Sequence, residues 1–431
     1  MGAVMKFILK KKINKLFQTG FFHIFSSSVI NKIVTFLSSV ILVRILSKSE
    51  YGVYSYALNI YGFILLFSGL GIESAVMQAG CENQNNSGKR AGIYSFGVRY
   101  GTIANCIMAF ILIFIGLLIP LPITGAEKPL LLLSFLPVIT FWYGMQMVHL
   151  RVNLRNQDYS AITTVNVVLV TVGTITGALV GHVFGVVVSR YLAMGISVFV
   201  AYMLFGVPLF VKAEKINKYE KRDLLKIATI SMVNNGLSQL LYLLDVFVIG
   251  MILADEKIVA SYKAATQIPT ALSFIPGCIV TYIYPYFASH NKEPGWCMRR
   301  YKQLISFVGI ANFFISIILF IFAPLIITIV FGRQYLDAVP IFRILSISYF
   351  FSGTFRTITG NLLVAQRKLI YNMLVAIFSG IINIVADICF IMLWNGIGAA
   401  LATFFVVIMT SVMNSVYYVY TLKKNMKKTL V

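Results

Sequence analysis

Nine ionisable side chains lie inside long apolar stretches of the sequence: Lys32, Glu73, Arg99, Arg190, Asp245, Lys263, Arg343, Arg356 and Asp387. A charge near the middle of a membrane helix costs about 2.5–3.5 kcal/mol, so none of them is expected to face lipid. Glu73, Lys263 and Arg343 lie near the ends of their stretches, where they can reach the interface or pair. Lys32, Arg99, Arg190 and Arg356 lie deeper. For these four we expect a place on a cavity wall, with pairing to a carboxylate as the alternative.

Four oxygen-bearing residues form a candidate ion site. Asp245, Asp387 and Thr403 each lie six or seven residues from the expected outer end of their stretch. At a helical rise of 1.5 Å per residue, this places all three about 10 Å deep. Asn383 lies one turn from Asp387 on the same helix face. Two carboxylates, an amide and a hydroxyl suit a small hard cation. The alternatives are pairing with buried arginines or a proton shared between the carboxylates.

The composition identifies the stretches that carry these residues as membrane helices. Of 431 residues, 59% are hydrophobic and 12% charged, and the mean hydropathy is +0.86. Soluble domains have about 45–50% apolar and 25% charged residues, so a soluble enzyme and a disordered chain are both excluded. Apolar runs of about the 20 residues needed to cross a bilayer occur near 22–43, 53–77, 92–119, 128–149, 161–180, 185–208, 228–251, 260–288, 304–329, 341–363, 371–394 and 397–420.

The sequence thus predicts an all-α polytopic membrane protein with twelve transmembrane helices in two six-helix lobes around a central cavity. We expect an N-terminal lobe at 1–208, a cytoplasmic linker at 209–227, and a C-terminal lobe with a basic cytoplasmic tail at 228–431. GHVFGVVVS (181–189) resembles WNGIGAALA (394–402), which indicates a faint internal repeat. Alternate connections hold 25 Lys or Arg against five in the opposite set, which predicts that both termini are cytoplasmic.

Several functional classes lack their sequence signals. The sequence has no phosphate-binding loop, no zinc-protease motif, no hydrolase nucleophile motif and no long outer loop, so we expect no enzymatic activity and no cofactor. The five cysteines form no paired motif, and we expect no structural metal. The net charge of +22 lies in short connections between apolar runs, which suits an anionic membrane surface better than nucleic acid.

Four segments resemble a known family, the Wzx-type O-antigen and capsule repeat-unit flippases of the multidrug/oligosaccharidyl-lipid/polysaccharide flippase superfamily. They are VRILSKSEYGVYSYA (43–57), LLYLLDVFVIGMIL (240–253), VFGRQYLDAVPIFRIL (330–345) and NGIGAALAT (395–403). The resemblance implies alternating access of a central cavity and transport of an undecaprenyl-pyrophosphate-linked oligosaccharide across a bacterial inner membrane. Asp245, Asn383, Asp387 and Thr403 are similar in type and spacing to the monovalent-cation site of the related lipid II flippases.

Six of the nine ionisable residues in the apolar stretches are Lys or Arg and three are Asp or Glu, and a pyrophosphate substrate would explain this excess of positive charge. Arg and Lys are the usual groups that hold phosphate oxygens, and a pyrophosphate diester carries about two negative charges. We therefore expect Lys32, Arg99, Arg190, Lys263 and Arg356 to form the pyrophosphate site. Na⁺ and H⁺ remain the two candidate coupling ions.

The resemblance also sets the expected partners and the competing functions. The expected partner is the lipid-linked oligosaccharide, with a polysaccharide polymerase and a chain-length regulator as further candidates, and we expect a monomer. The competing functions are a cation-coupled multidrug exporter of the same superfamily and an O-antigen polymerase or ligase.

Overall fold

The computed structural model describes residues 21–429 except residues 84, 212, 214 and 215, and within that part of the chain it contains helices and no strand. The first seven α-helices are α1 Phe21–Ile45, α2 Lys48–Leu65, α3 Ile72–Glu82, α4 Ser87–Leu118, α5 Glu127–Leu133, α6 Leu136–Val152 and α7 Asn156–Met203. The remaining eight are α8 Lys218–Leu253, α9 Glu256–Leu272, α10 Phe274–Ser289, α11 Pro294–Ile321, α12 Ala323–Val330, α13 Val339–Phe351, α14 Thr357–Ala365 and α15 Leu369–Thr429.

Every predicted span coincides with helix. Seven stretches of the described residues are long and apolar enough to cross a membrane: Lys48–Glu82, Ser87–Leu118, Glu127–Val152, Asn156–Met203, Pro294–Ile321, Arg333–Ala365 and Ile370–Lys427. The fourth and the last of these reverse direction within their length, so each carries two of the predicted spans. The all-helical polytopic class is therefore confirmed, while the count of twelve crossings stays a prediction.

The surface of α4 shows the property that a lipid-facing helix needs. Ile103, Ile107, Phe110, Phe114 and Leu117 are all more than half exposed. Their spacing of four, three, four and three residues places them on one face of the helix. A continuous apolar stripe of this kind is destabilising in water but is stable against hydrocarbon. This face is thus suited to lipid.

The chain divides into two compact units, whose boundary falls inside α8. The first unit comprises the described residues up to Glu50 and then Ala57–Gln239, and the second comprises Tyr51–Tyr56 and the described residues from Leu240 onward. The core of the first unit is built around Ile72, Val98, Phe141 and Met145. The core of the second includes Tyr301, Ile358, Leu362, Tyr418 and Leu422. The predicted lobe limits at 208 and 228 stay a prediction.

Two helical hairpins, one in each unit, turn with the same backbone geometry. In α7 the turn is Gly181 (φ −136°, ψ 21°) and His182 (φ 48°, ψ −134°). In α15 it is Trp394 (φ −131°, ψ 17°) and Asn395 (φ 51°, ψ −135°). The two turns are separated by 213 residues along the chain. They lie in the two segments whose sequences suggested an internal repeat.

Glycine allows the arms of each hairpin to approach closely. A Cβ atom on Gly185 would lie 2.0 Å from the carbonyl oxygen of Gly177, and one on Gly398 would lie 2.0 Å from the carbonyl oxygen of Phe390. Real Cβ atoms do not come this near to backbone oxygen, so only glycine fits. Each glycine is three residues beyond its left-handed turn residue, so the two close contacts also correspond between the units.

Candidate functional site

The second unit brings a carboxylate and three hydrogen-bond donors together. The carboxylate is that of Asp245. The Thr403 hydroxyl donates to its Oδ2 over 2.7 Å, and the Asn383 amide donates to its Oδ1 over 3.1 Å. The Tyr262 hydroxyl also donates to Oδ2 of Asp245. Tyr262 is 1% exposed and Asn383 is 5% exposed, while Asp245 and Thr403 are half-buried.

Hairpin register explains why these residues meet. Asp387 lies seven residues before the Trp394–Asn395 turn and Thr403 eight residues after it, on opposite arms of α15. Asp245 lies nine residues before Ala254, and Tyr262 lies eight residues after it. Ala254 (φ 49°) is the left-handed residue between α8 and α9. Residues equally far from a turn face each other, and each of these lies about 12 Å from its turn.

The turn between α8 and α9 is set by local capping. The side chain of Asp255 accepts hydrogen bonds from the backbone N–H groups of Lys257 (2.8 Å) and Ile258 (3.2 Å). This satisfies two of the N–H groups that the first turn of α9 cannot satisfy itself, and a negative charge is favourable at a helix N-terminus. The cap fixes where α9 starts, and therefore which residue of α9 lies opposite Asp245.

Asp387 has one satisfied and one unsatisfied carboxylate oxygen. The Asn383 amide donates to Oδ2 over 2.6 Å, so the same NH₂ group bridges Asp387 and Asp245. Oδ1 of Asp387 is buried without a hydrogen-bond partner among the described residues, and the residue is 0% exposed. A buried, unpaired carboxylate oxygen is costly when charged. A proton on Asp387, or a cation beside it, would supply the interaction that this oxygen lacks.

A cavity of about 250 Å³ opens against this cluster, and its walls come from the second unit. Asp245, Tyr262, Asn383 and Thr403 line one part of it. Lys263 and Arg356 also line it, so two cations share a cavity with the carboxylate cluster. Most of the other polar lining groups are hydroxyls: Thr266, Thr270, Ser273, Ser348, Tyr349, Ser352 and Thr357. The cavity can thus contact a cation at one part of its wall and an anion at another.

A π-helical turn positions Arg356 on the cavity wall. The turn spans Ser352–Arg356 and joins α13 to α14. Asn312 of α11, which is 1% exposed, donates to the Thr354 hydroxyl over 3.1 Å and accepts from the Tyr349 hydroxyl over 3.1 Å. Single π-helical turns inside helices occur frequently at functional sites. Asn312 therefore links the residues before and within the turn that carries Arg356.

The five cations expected to form one pyrophosphate site are not all brought together within a unit. Lys263 and Arg356 line the cavity of the second unit. Lys32, Arg99 and Arg190 belong to the first unit, where Lys32 on α1 and Arg99 on α4 are exposed and Arg190 on α7 is half-buried. Of the cations near span ends, Arg343 donates from Nε to the carbonyl oxygen of Phe320 over 3.3 Å. The roles of all five stay predictions.

Sequence reasoning missed two residues of this site, Tyr262 and Asn312. Tyr262 had a signal, because it lies eight residues beyond Ala254 and Asp245 lies nine residues before it, at nearly equal distances from the turn. Asn312 had none that a single sequence could show. Its hydrogen-bond partners lie 37 and 42 residues away along the chain, and a lone asparagine in an apolar run gives no indication of them.

One protein family matches most of the chain by sequence. Residues 41–340 match a family model described as "Polysaccharide biosynthesis protein". No curated protein sequence is significantly similar to the chain.

Several solved transporters share the fold. An inward-facing multidrug resistance MATE family transporter of the MOP superfamily has a TM-score of 0.71 at 14% identity, covering 92% of this chain and 96% of its own. The lipid II flippase MurJ, in an inward closed conformation, has a TM-score of 0.70 at 13% identity, covering 93% and 87%. A MOP superfamily transporter from Pyrococcus furiosus has a TM-score of 0.63 at 13% identity, covering 94% and 96%. All three are described as transporters or flippases.

Proposed function

We propose a function from the premise that the chain belongs to the polysaccharide biosynthesis protein family and has the fold of a two-lobed, multi-pass membrane transporter. The chain flips an oligosaccharide repeat unit linked to undecaprenyl pyrophosphate from the cytoplasmic to the outer leaflet of a bacterial inner membrane. It works by alternating access, and an inward gradient of Na⁺ or H⁺ resets it. Surface polysaccharides such as O-antigen or capsule are the products that this step serves.

The observation that carries the proposal is that the cavity in the second unit has both anionic and cationic groups in its wall. Asp245 and its three hydrogen-bond donors, here called the Asp245 cluster, line it together with Lys263 and Arg356. A guanidinium and an ammonium can hold phosphate oxygens by charge-assisted hydrogen bonds. A drug exporter that accepts organic cations would favour an acidic wall without such groups. The hydroxyls around the cavity can donate to and accept from sugar hydroxyls or phosphate oxygens.

The carboxylate cluster supports coupling to a small cation or a proton. The NH₂ group of Asn383 donates hydrogen bonds to both Asp245 and Asp387. A 180° rotation of the amide would put its carbonyl oxygen where the NH₂ group now lies. The same side chain can therefore bridge two carboxylates or join them as a ligand of a cation. Tyr262 and Thr403 bring two hydroxyl oxygens to the same point.

Electrostatics favour export of the headgroup. Moving one elementary charge through 100 mV is worth about 2.3 kcal/mol, so an inside-negative potential drives a dianionic pyrophosphate outward. An imported cation would return the empty carrier to its inward-facing state. A polysaccharide polymerase and a chain-length regulator would act on the exported product.

The test is a strain that lacks the gene, scored for surface polysaccharide and for lipid-linked repeat units that accumulate on the cytoplasmic leaflet. Wild-type protein should restore export. Lys263→Ala, Arg356→Ala and Asp387→Asn should each reduce it at equal protein level, and Arg299→Gln, at an exposed position outside the cavity, should not.

Two results would contradict parts of the proposal. Full export by Lys263→Ala and Arg356→Ala would place the anion site elsewhere. Full export by Asp387→Asn, together with indifference to both Na⁺ and H⁺ gradients, would remove coupling at the Asp245 cluster. A deletion strain with normal surface polysaccharide but new sensitivity to organic cations would instead identify a drug exporter.

A further inference from the structure

A second cavity, of about 170 Å³, lies in the first unit among α3, α4 and α6. Ser87, Arg90, Tyr94, His149 and Asn153 supply its polar wall, and none of the residues that line it is acidic. This volume is well above the roughly 10–15 Å³ that one water molecule needs, so a phosphate group fits. Nothing in the proposed transport cycle uses it.

Hydrogen bonds hold the cationic wall of this cavity in a fixed geometry. Arg90 donates from Nη1 to Oδ1 of Asn153 over 2.9 Å, and Asn153 donates from Nδ2 to the carbonyl oxygen of His149 over 2.8 Å. The rings of His149 and Tyr94 pack edge to face at 4.9 Å, and the Tyr94 hydroxyl donates to the carbonyl oxygen of Pro208 over 2.9 Å. A guanidinium that is already oriented loses less conformational freedom when it binds a ligand.

The second unit carries a similar basic cleft on equivalent connections. The turn after α6 contains Leu154 (φ 57°), and the turn after α14 contains Arg367 (φ 58°), again 213 residues later. In both turns the next residue, Arg155 or Lys368, donates its backbone N–H to a carbonyl five residues back over 2.9 Å. Beside Arg367, the cleft of the second unit is lined by Lys292, Gln366, Asn291 and Asn425, again without an acidic residue.

The chemistry of the first cavity indicates a phosphate ligand. Arg matches phosphate oxygens with parallel N–H groups, and Ser87, Tyr94 and His149 add further polar contacts. Arg90 also belongs to the set of connections rich in Lys and Arg, which are expected at the membrane surface where anionic lipids lie. Basic cavities between membrane helices at this surface bind acidic lipid headgroups. We propose that this cavity binds the phosphate group of an anionic membrane phospholipid.

The test measures lipid binding by the full-length purified protein, independently of transport. Native mass spectrometry would compare retention of phosphatidylglycerol with that of phosphatidylcholine. Wild-type protein should prefer phosphatidylglycerol, and Arg90→Gln should weaken its binding about tenfold, which corresponds to about 1.4 kcal/mol. Arg151→Gln is the matched control. Arg151 is an exposed residue of α6 that lies over the Tyr159 ring, outside the cavity. Its substitution removes the same charge and should leave the preference for phosphatidylglycerol unchanged.

A second measurement, the lipid-induced shift of the melting midpoint, remains informative for variants that are less stable than the wild type. The shift that phosphatidylglycerol, relative to phosphatidylcholine, produces in the melting midpoint should shrink in Arg90→Gln and in His149→Gln, whatever their midpoints without lipid. Unchanged lipid preference in Arg90→Gln, or an equal loss in Arg151→Gln, would overturn the proposal. So would uptake of inorganic phosphate as strong as that of the lipid, because the site would then serve free phosphate. If inorganic phosphate displaces bound phosphatidylglycerol only weakly, the result supports a lipid ligand.

Discussion

At Asp245, two hydroxyls and an amide converge on a single carboxylate, and each donor lies on a helix. The Tyr262 hydroxyl and the Thr403 hydroxyl share Oδ2, while Asn383 takes Oδ1. Hydrogen bonds to a charged group contribute about 1.5–3 kcal/mol each. Together they hold the carboxylate in one orientation, which a small cation requires of its ligands.

Tyr262→Phe tests the contribution of one donor. The ring stays in place, so packing is kept, while Asp245 loses one hydrogen bond. We expect the apparent affinity for the coupling ion to change by about tenfold, corresponding to about 1.4 kcal/mol, with protein level unaffected. The measurement is flipping of a lipid-linked substrate in vesicles as a function of the Na⁺ or H⁺ gradient.

Tyr418→Phe is its matched control. Tyr418 is also buried in the second unit, at 0% exposed, but its hydroxyl has no hydrogen-bond partner among the described residues. Removing that hydroxyl should leave ion dependence unchanged and should not reduce stability. Equal effects of the two substitutions would show that the Tyr262 hydroxyl has no special role at Asp245.

Among the helices, the hairpin of α15 decides whether Asp387 and Thr403 lie opposite each other. Gly398→Ala would place a Cβ atom 2.0 Å from the carbonyl oxygen of Phe390 and force the two arms apart. We expect a loss of about 1–3 kcal/mol in stability, read as a lower melting midpoint, and reduced export at equal protein level.

Gly277→Ala serves as the comparison for Gly398→Ala. A Cβ on Gly277, in α10 of the same unit, meets no atom within 4 Å. Alanine there should be neutral, or stabilising by up to about 1 kcal/mol through its higher helix propensity. If Gly398→Ala behaved like Gly277→Ala, close packing of the hairpin would not be needed for the site.

The π-helical turn at Ser352–Arg356 gives a second prediction about the helices. Asn312→Leu removes the side chain that bonds to Thr354 and Tyr349, and leaves both hydroxyls without that partner. We expect a loss of about 1–3 kcal/mol in stability and weaker substrate affinity through displacement of Arg356. Phe313→Leu, at the exposed neighbouring position, should change neither quantity. Unaltered substrate affinity in Asn312→Leu would show that Arg356 is positioned without it.

The sequence predicted the helices better than their contacts. Apolar runs predicted where the helices lie, and the glycines near 181 and 394 correctly indicated tight reversals between neighbouring helices. The helix ends and register placed Asp245, Asp387 and Thr403 at one depth, with Asn383 one turn from Asp387, and the structure has the four in one hydrogen-bonded group. The π-helical turn was not predictable, since it depends on Asn312 from a separate helix. Nor could hydropathy decide that Lys32 and Arg99 lie exposed while Lys263 and Arg356 share a cavity.

Over the whole chain, the uneven distribution of positive charge makes a prediction about topology. The excess of Lys and Arg in alternate connections predicts that both termini lie on the same, cytoplasmic side. A fluorescent protein fused after Val431 should therefore fluoresce, and alkaline phosphatase fused there should be inactive. The same enzyme inserted next to Lys257, in the opposite set, should be active. An active C-terminal phosphatase fusion would reverse the predicted orientation.

The two matching hairpin turns have a further consequence for energy conversion. Counting eight residues beyond each turn, Thr403 of the second unit corresponds to Arg190 of the first. Counting seven residues before it, Asp387 corresponds to Thr174. The first unit thus carries an arginine where the second carries the hydroxyl of Thr403, and a threonine where the second carries the carboxylate of Asp387. If a coupling site in the second half binds one ion per cycle, a tenfold concentration gradient of that ion contributes about 1.4 kcal/mol to each molecule exported, before any contribution from the membrane potential.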